Sequence, residues 1–144
     1  MASRAEAILQ RLQLALSGIG DATVERNSVL PEKVPTGGLI ILRDGDPGEP
    51  EQALGGFSSV YYQHAVAIEL YIEDGDPADR DTAFDDLLQQ IGATLEADPT
   101  LDGLAFGVSY GRPETSIEAV PGTPAIKSAT LSVTVDYESD APLS

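Results

Sequence analysis

Apolar residues near the start of the chain recur with a helical rhythm. Ala5, Ile8, Leu9, Leu12 and Leu16 share one face, while Arg4, Glu6, Gln10, Arg11 and Gln13 interrupt it. Ser3 followed three residues later by Glu6 spells a capping box at the start of this helix, and Gly18 supplies its stop. The same rhythm returns at Phe84, Leu87, Leu88, Ile91 and Leu95 and predicts a second helix over residues 78–97. Pro99 disfavours helix at Asp98 and ends it. Between the two helices the period changes to two. Val60, Tyr62, His64, Val66, Ile68, Leu70 and Ile72 alternate with Gln63, Ala65, Ala67 and Glu69, which predicts the longest strand. A second alternating run places Ala129, Leu131, Val133, Val135 and Tyr137 on one face. Shorter strands are expected at residues 22–27, at 39–42, and at 105–110 with Phe106, Val108 and Tyr110 on one face.

The order is helix, two strands, a long strand, helix, two strands. It predicts an α+β domain with a mixed, largely antiparallel sheet of about five strands and both helices packed on one face. The 144 residues suit a single domain over 1–144 with a core of its own, and residues 138–144 are expected to form a flexible tail. Of two polar connections, 46–57 is expected to be exposed and mobile, and 111–124, longer than a tight hairpin, either functional or flexible.

Charge changes the picture most. Against 24 acidic residues stand 8 basic ones, a formal net charge of −16. Such a surface repels a phosphate backbone, because nucleic-acid binding needs clustered Lys and Arg that release counterions. The charge promotes solubility, and it also suits a surface that stays close to a polyanion without gripping it. There is no cysteine, so disulfides, thiolate metal sites and thiol catalysis are all excluded. The N-terminal helix is too interrupted by polar residues for a signal peptide or a membrane span, and an intracellular, soluble protein is expected.

Candidate chemistry is sparse. The string Asp-Gly-Asp-Pro occurs at 44–47 and again at 74–77. In the second copy Asp76, Pro77 and Asp79 spell a helix start; in the first, Asp-Gly behind an apolar run reads as a turn where a strand exits. An EF-hand register from Asp44 puts Glu49 where Gly is required and Gly55 where the bidentate Glu belongs, and a register from Asp74 puts Asp79 and Asp85 there. Both registers fail. Gly107-Val108-Ser109-Tyr110-Gly111 matches a nucleophile elbow, but a Pro-rich loop follows it and the single histidine, His64, precedes it. His64 on an apolar strand face suits hydrogen-bonded packing, and alone it makes no zinc site. No catalytic residue, cofactor or metal is therefore expected, and the chain reads as a binding or assembly module rather than an enzyme.

In order along the chain stand a capped helix, "VERN", "LIILRDGDP", a long strand ending "VAIELYIE", a helix closing on "LEADPTLDGLA", and a last strand ending "VTVDY". This series resembles, over residues 3–137, the tail terminator (tail completion) proteins of long-tailed phages and related tail-like particles, with the lambda gpU-like fold as nearest relative. The resemblance implies a structural virion protein of the tail or neck, assembled in the cytoplasm of a bacterial host. It implies a homohexameric ring that caps the head-proximal end of the tail tube and ends tube polymerisation. Its implied partners are other copies of itself, the tail tube protein and a head-tail connector or stopper, with DNA passing through the lumen without specific binding. The two long connections then become the expected contact loops. Arg26, Arg43 and Arg112, scarce cations on an acidic chain, together with Asp44, Asp46 and Glu114, are the candidate subunit or tube contacts; the bland reading of each arginine is a solvated side chain or an intrachain pair. The alternative to a ring is a monomeric acidic binding module that takes a small ligand or loose calcium at the two Asp-Gly-Asp loops.

Overall fold

A computed structural model describes residues 1–52, 59–119 and 121–144. The chain runs α1 (Arg4–Ser17), β1 (Thr23–Arg26), β2 (Leu39–Asp46), β3 (Glu51–Gln52), β4 (Val60–Asp74), α2 (Pro77–Ala97), β5 (Gly107–Tyr110), β6 (Glu114–Glu118) and β7 (Ala125–Ser139). One seven-stranded sheet has the order β1-β2-β4-β7-β5, with β3 paired to β4 and β6 paired to β7. The architecture is α+β as expected, with seven strands where the periodicity indicated about five. Among the described residues β1 and β2 pair in parallel and the other pairings are antiparallel.

Both helices lie on one face. Ile8, Leu9, Leu12 and Leu16 of α1 and Phe84, Leu87, Ile91 and Leu95 of α2 join Ile40 and Leu42, the even positions of β4, and the odd positions 129–137 of β7 in one buried cluster. Burying such a stripe is what makes these helices stable, since each fully buried Leu or Ile contributes about 1.5–3 kcal/mol relative to exposure. The opposite face is only partly covered. Val34 folds over Leu39 and Ile41, flanked by Tyr71 and Ile126, whereas Gln63, Ala65, Thr130 and Ser132 stay exposed on the same side.

The helix termini follow their chemistry. Ser3 Oγ accepts from the Glu6 N–H at 3.2 Å, but the Glu6 carboxylate grips Arg26 instead of reaching back to Ser3, so the capping box is half made. Gly18 ends α1 in a right-handed conformation. Asp76 caps α2, its Oδ1 accepting from Ala78 and Asp79, and Pro77 opens the helix one residue before the expected start. Three left-handed residues, Leu101, Asp102 and Gly103, then fold the chain back, burying Leu101 against the core.

Several expectations need correction. The Asp-Gly-Asp after the first apolar strand is not a strand exit: β2 continues to Asp46 through a bulge at which the register shifts from Arg43↔Ala67 to Asp46↔Ala65. Gly45 adopts φ 69° there, in the left-handed region that bulges favour. Part of the long 111–124 connection is strand β6, running along β7 from Glu114↔Thr130 to Glu118↔Ile126. Residues 53–58 of the other connection lie outside the described residues. Phe106 does not share the core face with Val108 and Tyr110; it precedes β5 and is 61% exposed. At the C-terminus β7 carries pairing two residues past Tyr137, to Val60↔Ser139. No helix among the described residues is long and apolar enough to cross a membrane.

Candidate interaction surface

The scarce cations are placed first by the sheet. Arg26, at the end of β1, lies where the parallel partner β2 reaches its bulge and α1 begins. Its Nη1 and Nη2 donate to the two oxygens of Glu6 (2.7 and 2.9 Å), and its Nε and Nη2 donate to those of Asp44 (2.8 and 3.0 Å). This double fork holds the Arg26 guanidinium charged beyond its ordinary value and pulls both the Glu6 and Asp44 carboxyls below theirs. Arg43 forks onto Glu69 across the β2–β4 pair at 3.1 and 3.2 Å. Burial acts to raise the Glu69 carboxyl, but the hydrogen bonds from Arg43 and Tyr71 outweigh it and leave that group below its usual range. The Tyr71 phenol, partly buried and donating to Glu69, is pushed up to about 12.

The bulge is tied down from the core side. His64 is buried, with Nε2 2.6 Å from the Asp44 backbone oxygen and Nδ1 3.2 Å from the Tyr137 hydroxyl. A carbonyl can only accept, so Nε2 carries the proton and Nδ1 accepts from Tyr137 when the ring is neutral. His64 therefore satisfies the carbonyl that the bulge turns away from the ladder, a hydrogen-bonded packing role.

The carboxylates of the two Asp-Gly-Asp strings are held by protein donors. Asp44 pairs with Arg26, Asp46 accepts from the Gly48 N–H, Asp74 accepts from the Asp76 N–H, and Asp76 caps α2. Among the described residues no three of His, Cys, Asp or Glu converge as a metal-holding group. Ser109 lies mid-strand in β5, opposite Thr134, and no helix follows it as an elbow would require.

Arg112 and Glu114 stand apart from the Arg26 cluster. They are exposed where the chain passes from β5 to β6 along the β7 edge, and Arg112 has no partner among the described residues. Arg4, Arg11, Arg26, Arg43, Arg80 and Lys127 all hold a carbonyl or a carboxylate of their own chain. Arg112 and Lys33 hold none among the described residues.

The sequence reading missed one feature. On the helix-free side, where β3, β4, β7 and the start of β5 meet, a recess of about 490 Å³ is lined by Glu49, Glu51, Tyr61, Gln63, Phe106 and Asp136. Phe106 stacks on Tyr61 with ring centroids 6.1 Å apart, and Glu138 beside Tyr61 pushes that phenol up. Asp136 Oδ1 is buried with no hydrogen-bond partner among the described residues. Only the odd exposed aromatic before Gly107 could have pointed to the recess, and strict alternation assigns that residue to the core.

No family model matches the chain, and no curated protein matches it. A search of solved structures finds similarity to a chain from the virion of a native gene transfer agent particle, 14% identical, covering 93% of this chain and 95% of that one, with a TM-score of 0.38. A likeness of that size assigns no function.

Proposed function

We propose that the protein is a structural virion component, a ring-forming tail terminator that caps the head-proximal end of a tail tube, ends its polymerisation and offers a surface for joining the head. The reading rests on the whole-chain sequence resemblance, whose quoted segments fall on regular elements or turns of the fold. "VERN" is β1 and its exit, "LIILRDGDP" is β2 with its bulge, "VAIELYIE" is β4, "LEADPTLDGLA" is the end of α2 with its left-handed turn, and "VTVDY" lies in β7. The charge of −16 supports the reading, because a lumen through which DNA slides benefits from repulsion. Such a ring makes no covalent chemistry and needs no cofactor.

The test is solution mass by light scattering, with and without purified tail tubes, together with tube length when the protein is added to polymerising tube subunits. Six-fold species, alone or on tube ends, and arrested tube growth are expected. A strict monomer that leaves tube growth unchanged overturns the proposal in favour of a monomeric acidic binding module, and calcium titration then tests its Asp-Gly-Asp loops.

A further inference from the structure

We infer that the Tyr61–Phe106 recess is a socket for an arginine side chain, and that its occupant is Arg112 of a second copy of this chain. The inference rests on the ring reading above and names the contact that would join neighbours.

The socket has the chemistry of a guanidinium site. A planar cation stacks on aromatic faces and forks onto carboxylates, which a lysine ammonium does less well. The recess offers the stacked Tyr61 and Phe106 rings as a platform, Glu49 and Glu51 at its side, and the Asp136 carboxylate in its wall. A carboxylate in the wall is an acceptor for the guanidinium N–H groups.

Arg112 cannot reach the socket of its own chain. Arg112 lies between Tyr110↔Val133 and Glu114↔Thr130, four to five β7 residues from Asp136. At about 3.3 Å per residue that is roughly 15 Å along the sheet edge, beyond the reach of an arginine side chain. Yet Arg112 is one of two cations without a partner among the described residues of a chain with net charge −16, and the other is a lysine. Donor and socket lie at different places along the β7 edge, and in the ring proposed above their pairing runs head-to-tail. Such heterologous contacts close into rings when the rotation between copies permits.

Two arms test this on the full chain, with thermal melts confirming that each variant is folded. In the first, sedimentation velocity and tube-end binding compare wild type with Arg112→Glu, Glu51→Lys and the double swap. Each single change should weaken association at least tenfold, and the swap should recover most of it. In the second, N-acetyl-arginine amide is titrated into Arg112→Glu, whose socket is empty, while the Tyr61 and Phe106 ring resonances are followed. Saturable shifts are expected, several-fold weaker with N-acetyl-lysine amide and lost in Asp136→Asn. Unchanged assembly in Arg112→Glu overturns the inference and leaves the ring reading standing. Assembly lost in Arg112→Glu, without rescue by the swap and without arginine-induced shifts, also overturns it. A wild type that stays monomeric even on tube ends overturns the ring reading, and with it a second copy as occupant.

Discussion

At the scale of single residues, the region around the β2 bulge concentrates most of the specific chemistry. A Cβ at Gly45 would overlap the Ala65 carbonyl oxygen, and the φ of 69° is itself unfavourable for other residues. Gly45→Ala should therefore destabilise by about 2 kcal/mol or more. Gly92, in α2, has open space where a Cβ would go. Gly92→Ala should stabilise by about 0.5–1 kcal/mol, since helix interiors disfavour glycine. Urea midpoints of the two variants should move in opposite directions, and equal shifts would contradict the bulge geometry. Arg26 makes a different kind of prediction. Glu6 and Asp44 have folded-state pKa values depressed below their ordinary 4.5 and 3.8. Their contribution is therefore present above about pH 4.5 and is lost as pH falls through the lowered values. The two carboxylate side chains are 38% and 43% exposed, so water screens the pairs and Arg26→Ala should cost only about 1 kcal/mol at pH 7. The difference between wild type and Arg26→Ala should shrink as pH falls below the ordinary carboxylate range. A difference that widens as pH falls would rule out the pairing.

At the scale of elements, the turn after α2 is the joint that holds the helical layer together. Asp98 pairs with Arg11 of α1 through Oδ2 at 2.9 Å and accepts from the Asp102 N–H through Oδ1 at 3.0 Å. It thus links the two helices and holds a left-handed turn at once. Asp98→Ala should cost about 1–2 kcal/mol, and Arg11→Ala less, because only the second leaves the turn's acceptor in place. Equal losses, read from denaturant midpoints, would mean that the turn does not depend on Asp98. What the sequence showed of the elements follows from how each is stabilised. The helices and the long strands β4 and β7 bury one face, so their apolar period is written in the chain. Edge strands β3 and β6 bury nothing, every residue from Glu114 to Glu118 being exposed, and are held only by pairing with a longer strand. They leave no period to read. The bulge was hidden because Asp-Gly-Asp is spelled alike at a helix start and within a strand; what differs is the buried His64 imidazole that caps the turned carbonyl, twenty residues away. The Arg26 cluster was equally silent, since Glu6, Arg26 and Asp44 meet only after α1, β1 and β2 are stacked. The recess failed to show because alternation was extended one residue too far, to Phe106.

At the scale of the whole molecule, two electrostatic effects act on assembly in opposite senses, and their sizes decide which governs. Each subunit carries −16, so neighbours in a ring repel over the Debye length, about 10 Å at 0.1 M salt and about 3 Å at 1 M. The proposed Arg112 contact is attractive, and salt weakens it too. However, it is one pair per interface, and a guanidinium stacked on the Tyr61–Phe106 platform is partly withdrawn from solvent, where screening acts less. The repulsion involves the whole exposed surface, where screening is most effective. Assembly should therefore increase from about 0.1 M to about 1 M salt, on tube ends or in free solution. Arg112→Glu makes each subunit two units more negative, and it should keep that salt response while forming less ring at every concentration. Mass distributions across a salt series check both statements together. A ring population that falls as salt rises would mean that specific ion pairs, rather than overall repulsion, dominate the interface. The arginine socket would then be one of several such contacts, and charge reversals elsewhere on the β5–β6 edge, beginning with Glu114→Lys, would have effects comparable to those at Arg112.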